Sequence, residues 1–180
     1  MKKRIFENPL MKDRIMLVES SNESGGAHTL IEMELQPGDG NRLHYHKYIT
    51  EKFTAIRGEL WVEVGRDRIR LQPGESTMAP ADVVHRFYNP GSRSIIFRIK
   101  LTPGHEMFEQ SLVIAYGLAA DGRVYKNGIP KNPDHLALLM SMTDTGIPGV
   151  FSFIQPYMKW RGQKAIENGM HHELLRRYCK

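Results

Sequence analysis

From Thr29 to Thr102 no apolar run is long, and nearly every one alternates with polar residues. Ile31, Met33 and Leu35 oppose Glu32 and Glu34, and Leu60, Val62 and Val64 oppose Glu59, Trp61 and Glu63. Ile69 and Leu71 oppose Arg68 and Arg70, while Ile95, Phe97, Ile99 and Leu101 oppose Arg98 and Lys100. Successive side chains of a strand point to opposite faces, so each segment is a strand with one apolar face. Turn residues separate them: Pro37-Gly38-Asp39-Gly40, Arg57-Gly58, Gly65-Arg66-Asp67, Pro73-Gly74 and Asn89-Pro90-Gly91. Short strands with regularly spaced turns specify an antiparallel barrel or sandwich. A chain of 180 residues buries about 70% of its unfolded surface, enough for one substantial core.

Polar groups with metal-binding chemistry fall on the apolar faces. His44 and His46 are two apart and share a face. Glu51 follows His46 by an odd number of positions, so the chain must bend near Tyr48-Ile49-Thr50, with Glu51 opening the next strand beside Phe53 and Ala55. His85, which carries Phe87 and Asn89 on its own face, reaches the others only by sheet closure. Three imidazoles and a carboxylate suit Fe, Mn, Ni, Cu or Zn. Burying such groups unpaired inside an oily barrel is costly. One divalent metal ion held by His44, His46, Glu51 and His85 removes that cost. His28, His105, His135, His171 and His172 are expected at the surface or as caps. His171-His172-Glu173 lacks the His-Glu-x-x-His spacing of a metalloprotease.

The flanks have a different texture. Residues 1–28 form an N-terminal arm closed by the loop Ser20 to Gly26. The barrel segment covers 29–102, and 103–180 is a helical extension. Thr102 is expected to cap its first helix, with Pro103 at the first position. Phe108, Leu112, Ala115 and Ala119 recur near helical spacing until Asp121-Gly122, and Asn132-Pro133 starts a second helix. Ile166, Met170, Leu174 and Tyr178 mark an amphipathic tail that Gly162 and Gly169 weaken as one continuous helix. Packing of that tail on the barrel or a partner subunit is preferred to contact with a membrane surface.

Composition excludes several classes. The net charge is +5 without a run of five or six like charges, so no nucleic-acid partner is expected. Cys179 is the one cysteine, which removes intramolecular disulfides and cysteine-based zinc sites. The N-terminus lacks an apolar signal core, and a cytoplasmic location is expected.

The spacing Gly38, His44, His46, Glu51, Gly58 followed by Gly74, Pro80, His85, Asn89 resembles the two motifs of the cupin superfamily, specifically its small single-domain members. One position departs: Asp82 stands where the family has glycine, and Asp tolerates a positive φ there. The resemblance implies a mainly β fold, a double-stranded β-helix or jelly-roll barrel with the α-helical extension added. It implies His44, His46, Glu51 and His85 as ligands and a homodimer as the assembly.

Parity places Met33, Phe53, Met78, Phe87, Phe97 and Ile99 around the site as an apolar pocket lining, with Arg42 on the same side as the histidines. Such a pocket suits a small, partly apolar molecule that offers oxygens to the metal, with an anionic group near Arg42. The resemblance to cupins of this ligand set implies a dioxygenase-like enzyme, with a non-redox isomerase or lyase using the metal as Lewis acid and a non-catalytic binding or sensing module as the alternatives.

Overall fold

The computed structural model describes residues 4–179, apart from the side chains of residues 150 and 151. Ten strands come first: β1 (Ile5–Glu7), β2 (Arg14–Glu19), β3 (Thr29–Leu35), β4 (Tyr45–His46), β5 (Thr50–Arg57), β6 (Leu60–Val64), β7 (Asp67–Leu71), β8 (Ser76–Ala79), β9 (His85–Tyr88) and β10 (Ile95–Thr102). Helices α1 (Glu106–Ala120) and α2 (Pro133–Met142) follow, then the two-residue strand β11 (Thr145–Gly146). A 3-10 segment (Gly149–Ile154) leads into α3 (Gln155–Glu167) and α4 (Met170–Tyr178).

The strands form a six-stranded sheet ordered β1-β2-β3-β10-β5-β8, a three-stranded sheet β7-β6-β9 and the pair β11-β4. All pairings are antiparallel. This is a jelly-roll β fold with C-terminal helices. Its faces follow the alternation in the sequence. On β10, Phe97 lies opposite Met33 on one side and Ala55 on the other, and it is fully buried with Phe53, Leu60, Val62 and Leu101. On the outer face of the same strand Arg98 pairs with Glu32 at 3.1 Å. Gly58 turns β5 into β6 at φ +78°, and a Cβ there would come within 2.7 Å of Ile95. Both the backbone and the space therefore demand glycine.

The N-terminal region is more regular than an arm: β1 and β2 extend the larger sheet, with Phe6, Ile15 and Leu17 in the barrel core. The start of α1 also differs from expectation. Thr102 still pairs with Thr50 as the last residue of β10, so it cannot cap a helix. His105 takes that role, its side chain accepting from the Phe108 amide at 3.0 Å. Asn132 caps α2 with Pro133 in the first turn, as its sequence implies. The tail divides at Gly169, whose left-handed φ of +79° ends α3 and starts α4.

Phe108, Leu112 and Tyr178 pack on the barrel core, while Ile114, Leu118, Leu138, Met142, Ala165 and Leu174 make a second core among the helices. Helices approach closely where glycines allow it. A Cβ on Gly162 would lie 2.5 Å from the Ala137 carbonyl oxygen, and one on Gly117 would lie 2.3 Å from the Tyr178 ring. No helix among the described residues is long and apolar enough to cross a membrane.

Candidate metal centre

Three segments deliver the four donor residues. His44 and His85 exchange both backbone hydrogen bonds, at 3.1 and 2.8 Å, in an isolated antiparallel bridge just before β4. His46 ends β4 opposite Thr145. After the bend at Tyr48-Ile49, Glu51 enters on β5 between Leu101 and Ala79. Asp82, at φ +64°, sits in the turn that returns the chain to His85, and its amide donates to the His46 carbonyl at 2.8 Å. The departure from glycine at that position is thus accommodated in the left-handed region.

The ligand atoms of His44, His46, Glu51 and His85 all lie within 4.8 Å of one another. Ring centroids are 4.4 Å apart for His44 and His85, 4.8 Å for His44 and His46, and 5.7 Å for His46 and His85. His46, Glu51 and His85 are almost wholly buried, and His44 is the partly exposed member.

Each imidazole is held the same way. Nδ1 of His44 meets the Arg42 carbonyl, Nδ1 of His46 the Thr143 carbonyl and Nδ1 of His85 the Val83 carbonyl, each at 2.8 Å. A carbonyl oxygen only accepts, so each Nδ1 carries a proton and donates. Each Nε2 is thereby left to face the centre, where a metal ion would take its lone pair. There they meet Glu51: Nε2 of His85 lies 3.1 Å from one carboxylate oxygen and Nε2 of His46 lies 3.6 Å from the other. The His46 Nε2 atom is buried without a hydrogen-bond partner. Lone pairs converging on a buried carboxylate need a positive charge among them, and this donor set fits one divalent cation.

The electrostatics agree. Burial pulls the His44 pKa down to about 4, against the opposing charge of Glu51. Burial also lowers His46. For His85 burial acts downward, but the hydrogen bond and charge of Glu51 win and raise it. Burial pushes Glu51 upward, yet its bond to His85 and the surrounding imidazoles carry it below the usual carboxylate value. His44 and His46 are thereby kept neutral beside an ionised carboxylate, the states that bind metals, while His85 holds its proton against Glu51 more firmly than a free imidazole.

The remaining expected lining residues divide. Phe53 stands 6.1 Å from the His85 ring and 5.9 Å from Phe87, which in turn is 4.9 Å from Phe97. Phe53 and Phe97 have no exposed surface, and Phe87 and Ile99 are buried, so these four are core beneath the site rather than walls of an open pocket. Met33 is partly buried against the same core. Met78 is misassigned by parity: it pairs with Lys52 on the outer face of β5 and β8 and is 54% exposed. Arg42 is exposed, and it meets the site through its backbone carbonyl. Tyr45 points away, its hydroxyl donating to Gln155 at 3.2 Å. Among the other histidines, His105 is a cap, whereas His135 is buried between helices, contrary to expectation.

Two neighbours of the site were not read from the sequence. Phe108 on α1 sets its ring 5.6 Å from His46 at 66°. The Thr143 carbonyl and the Thr145 hydroxyl, the latter 3.4 Å from His46 Nδ1, come from the segment between α2 and α3. Phe108 was legible only as one member of a helical apolar stripe, and a backbone carbonyl leaves no mark on sequence.

A family model described as "Cupin domain" matches residues 31–99, which include all four donors. This chain carries a cupin domain. Among curated proteins, the cupin domain is similar to quercetin 2,3-dioxygenase of Bacillus subtilis (strain 168), 30% identical over 71 residues, 39% of this chain and 21% of that protein. It is also similar to polyketide synthase CurC of Streptomyces cyaneus, 30% identical over 69 residues, 38% of this chain and 45% of that protein. The chain therefore spans less than half the length of either curated relative. Among solved structures, TT1209 from Thermus thermophilus is 25% identical with a TM-score of 0.45, over 49% of this chain and 81% of that one.

Proposed function

We propose that His44, His46, Glu51 and His85 hold one divalent transition-metal ion (Fe, Mn, Ni, Cu or Zn), and that the cupin domain uses it on a small organic molecule bearing chelating oxygens, as a dioxygenase-like enzyme. One observation carries this reading: three Nδ1 atoms are committed to backbone carbonyls while their Nε2 atoms gather on a buried carboxylate. When bound, such a metal polarises a substrate oxygen and orients substrate beside dioxygen. The protein's own part is to hold His44 and His46 neutral, keep Glu51 ionised and exclude water with Phe53 and Phe108. Access to the ion is from the His44 side, since His44 is the donor with exposed surface. The likeness to a protein named quercetin 2,3-dioxygenase supports the oxygenase direction.

Elemental analysis of natively purified protein is expected to return close to one transition metal per chain. Oxygen uptake is then followed with Fe-, Mn-, Ni- and Cu-loaded protein on flavonols, diketones and catechols. Uptake no greater than in the metal-stripped control removes the oxygenase reading. Turnover with zinc and without oxygen assigns instead a Lewis-acid isomerase or lyase, and ligand binding without turnover assigns a binding or sensing module. We also read the chain as an arm over 1–28, a barrel over 29–102 and an extension over 103–180, forming a cytoplasmic homodimer. Light scattering at twice the monomer mass tests the assembly.

A further inference from the structure

The His46 ring is fixed from outside the matched cupin segment. Residues 31–99 provide the carbonyls for His44 and His85, at Arg42 and Val83, but the one for His46 comes from Thr143, ninety-seven positions later in the chain. Thr143 is the C-cap of α2, so its carbonyl is one of those at the helix end that have no intrahelical donor. Such a carbonyl carries the partial negative charge of the helix end, which suits it to hold an Nδ1–H.

The turn that aims it is specific. Asp144 takes a left-handed φ of +49°, and β11 then pairs with β4 in the register Thr145 with His46 and Gly146 with Tyr45. The Thr143 hydroxyl bonds the Leu139 carbonyl at 3.0 Å and the Thr145 hydroxyl at 2.6 Å. The Thr145 hydroxyl in turn stands 3.4 Å from His46 Nδ1. Gly146 allows the close approach: a Cβ there would lie 2.1 Å from the Tyr45 ring. A side chain there meets the far end of Tyr45, so either that ring swings aside or β11 moves off β4 and takes the Thr143 carbonyl with it.

We propose that the Thr143–Gly146 turn is the positioning element for His46, so that the metal centre is completed by the helical extension rather than by the barrel alone. This rests on the metal reading of the four donors. Outer-shell partners of a ligating histidine typically contribute 10- to 100-fold in metal affinity.

The test compares wild type with Gly146→Ala by chelator competition for Co(II) and by the Co(II) ligand-field spectrum, with circular dichroism confirming the fold. In parallel, the side-chain nitrogens of His46 are observed by NMR in the metal-free protein. Wild type is expected to bind one Co(II) and to show a slowly exchanging Nδ1–H on His46. In Gly146→Ala, binding falls about 10- to 100-fold, the spectrum changes and that proton exchanges rapidly. A folded Gly146→Ala that loses protection of the His46 Nδ1–H yet binds Co(II) within twofold of wild type overturns the inference.

If Gly146→Ala does not fold, or folds with the His46 Nδ1–H still protected, Thr145→Val decides. It removes the two hydroxyl contacts at nearly constant volume, and an affinity within twofold of wild type overturns the proposal, whereas a several-fold loss supports it. A wild-type protein that takes up no transition ion refutes the metal reading instead. The NMR arm then stands alone: protection of His46 Nδ1–H that is lost on substitution supports the positioning role, and its absence in wild type overturns it.

Discussion

At the scale of single residues the structure separates groups that carry chemistry from groups that only occupy space. Glu51→Gln keeps the shape of the side chain but removes the one negative charge among three imidazoles. Its expected cost in metal affinity exceeds the roughly 10- to 100-fold of an outer-shell loss, measurable by competition with a chromophoric chelator. Met78→Lys, on the outer face, is expected to change stability by no more than about 0.5 kcal/mol. Phe97→Ala, emptying a fully buried position, is expected to cost about 3–5 kcal/mol by denaturant titration. Asp13 gives a pH signature. Burial raises its pKa above the ordinary value of 3.8, against the opposing hydrogen bond from Tyr116, and its Oδ1 atom is buried without a partner. An acid whose folded pKa is raised contributes most below its unfolded pKa and loses that contribution as pH climbs through the folded one. Asp13→Asn is therefore expected to raise Tm at pH 7 and to leave it unchanged at pH 3. An equal shift at both pH values would refute the assignment.

At the scale of elements, backbone geometry decides what substitution will tolerate. Gly117 on α1 lies under the ring of Tyr178, which is anchored by a 2.8 Å bond to Asp121. Gly117→Ala gains about 1 kcal/mol of helix propensity, but it forces that ring off the helix. The expected net effect is destabilisation of about 1–2 kcal/mol, with α4 exchanging its amide protons faster than α1. A net gain would show that α4 yields easily. Much of this level was legible in the sequence, because one-sided burial writes itself as alternation: the faces of β3, β5, β6 and β10 and the bend before Glu51 follow from residue type and parity, while the positive φ of Asp82 follows from the resemblance, whose motif has glycine there. Three things did not. β1 is only three residues long and β2 runs Ile15-Met16-Leu17-Val18 without alternation, so they appeared as an arm. Thr102 looked like a cap because its strand pairing with Thr50 is non-local. Met78 was given the wrong face because a four-residue strand after a turn has no internal reference for parity.

At the scale of the whole molecule, the donor set was legible because its chemistry resides in side chains at rigid spacing, while the shell behind it was not. Loading the centre is expected to stabilise the fold by about 2.7 kcal/mol when free metal stands at a hundred times its Kd, and a chelator should return Tm to the metal-free value. Burial holds His44 at about 4 and lowers His46, so protons compete with metal near neutrality chiefly at His85, whose pKa Glu51 raises. Metal affinity is therefore expected to fall as pH drops through the His85 range. Isothermal titration across pH 5 to 8 checks the direction, and flat affinity would contradict the ligand assignment.

The bond between His46 and Thr143 also has a kinetic meaning. Closing a loop of ninety-seven positions is slow compared with forming hairpins, since distant contacts are rewarded only after most of the chain entropy has been surrendered. The strands can pair before the last imidazole is oriented. Ion capture should consequently lag sheet formation during refolding, and a stopped-flow trace of cobalt absorption would time the docking of the helices.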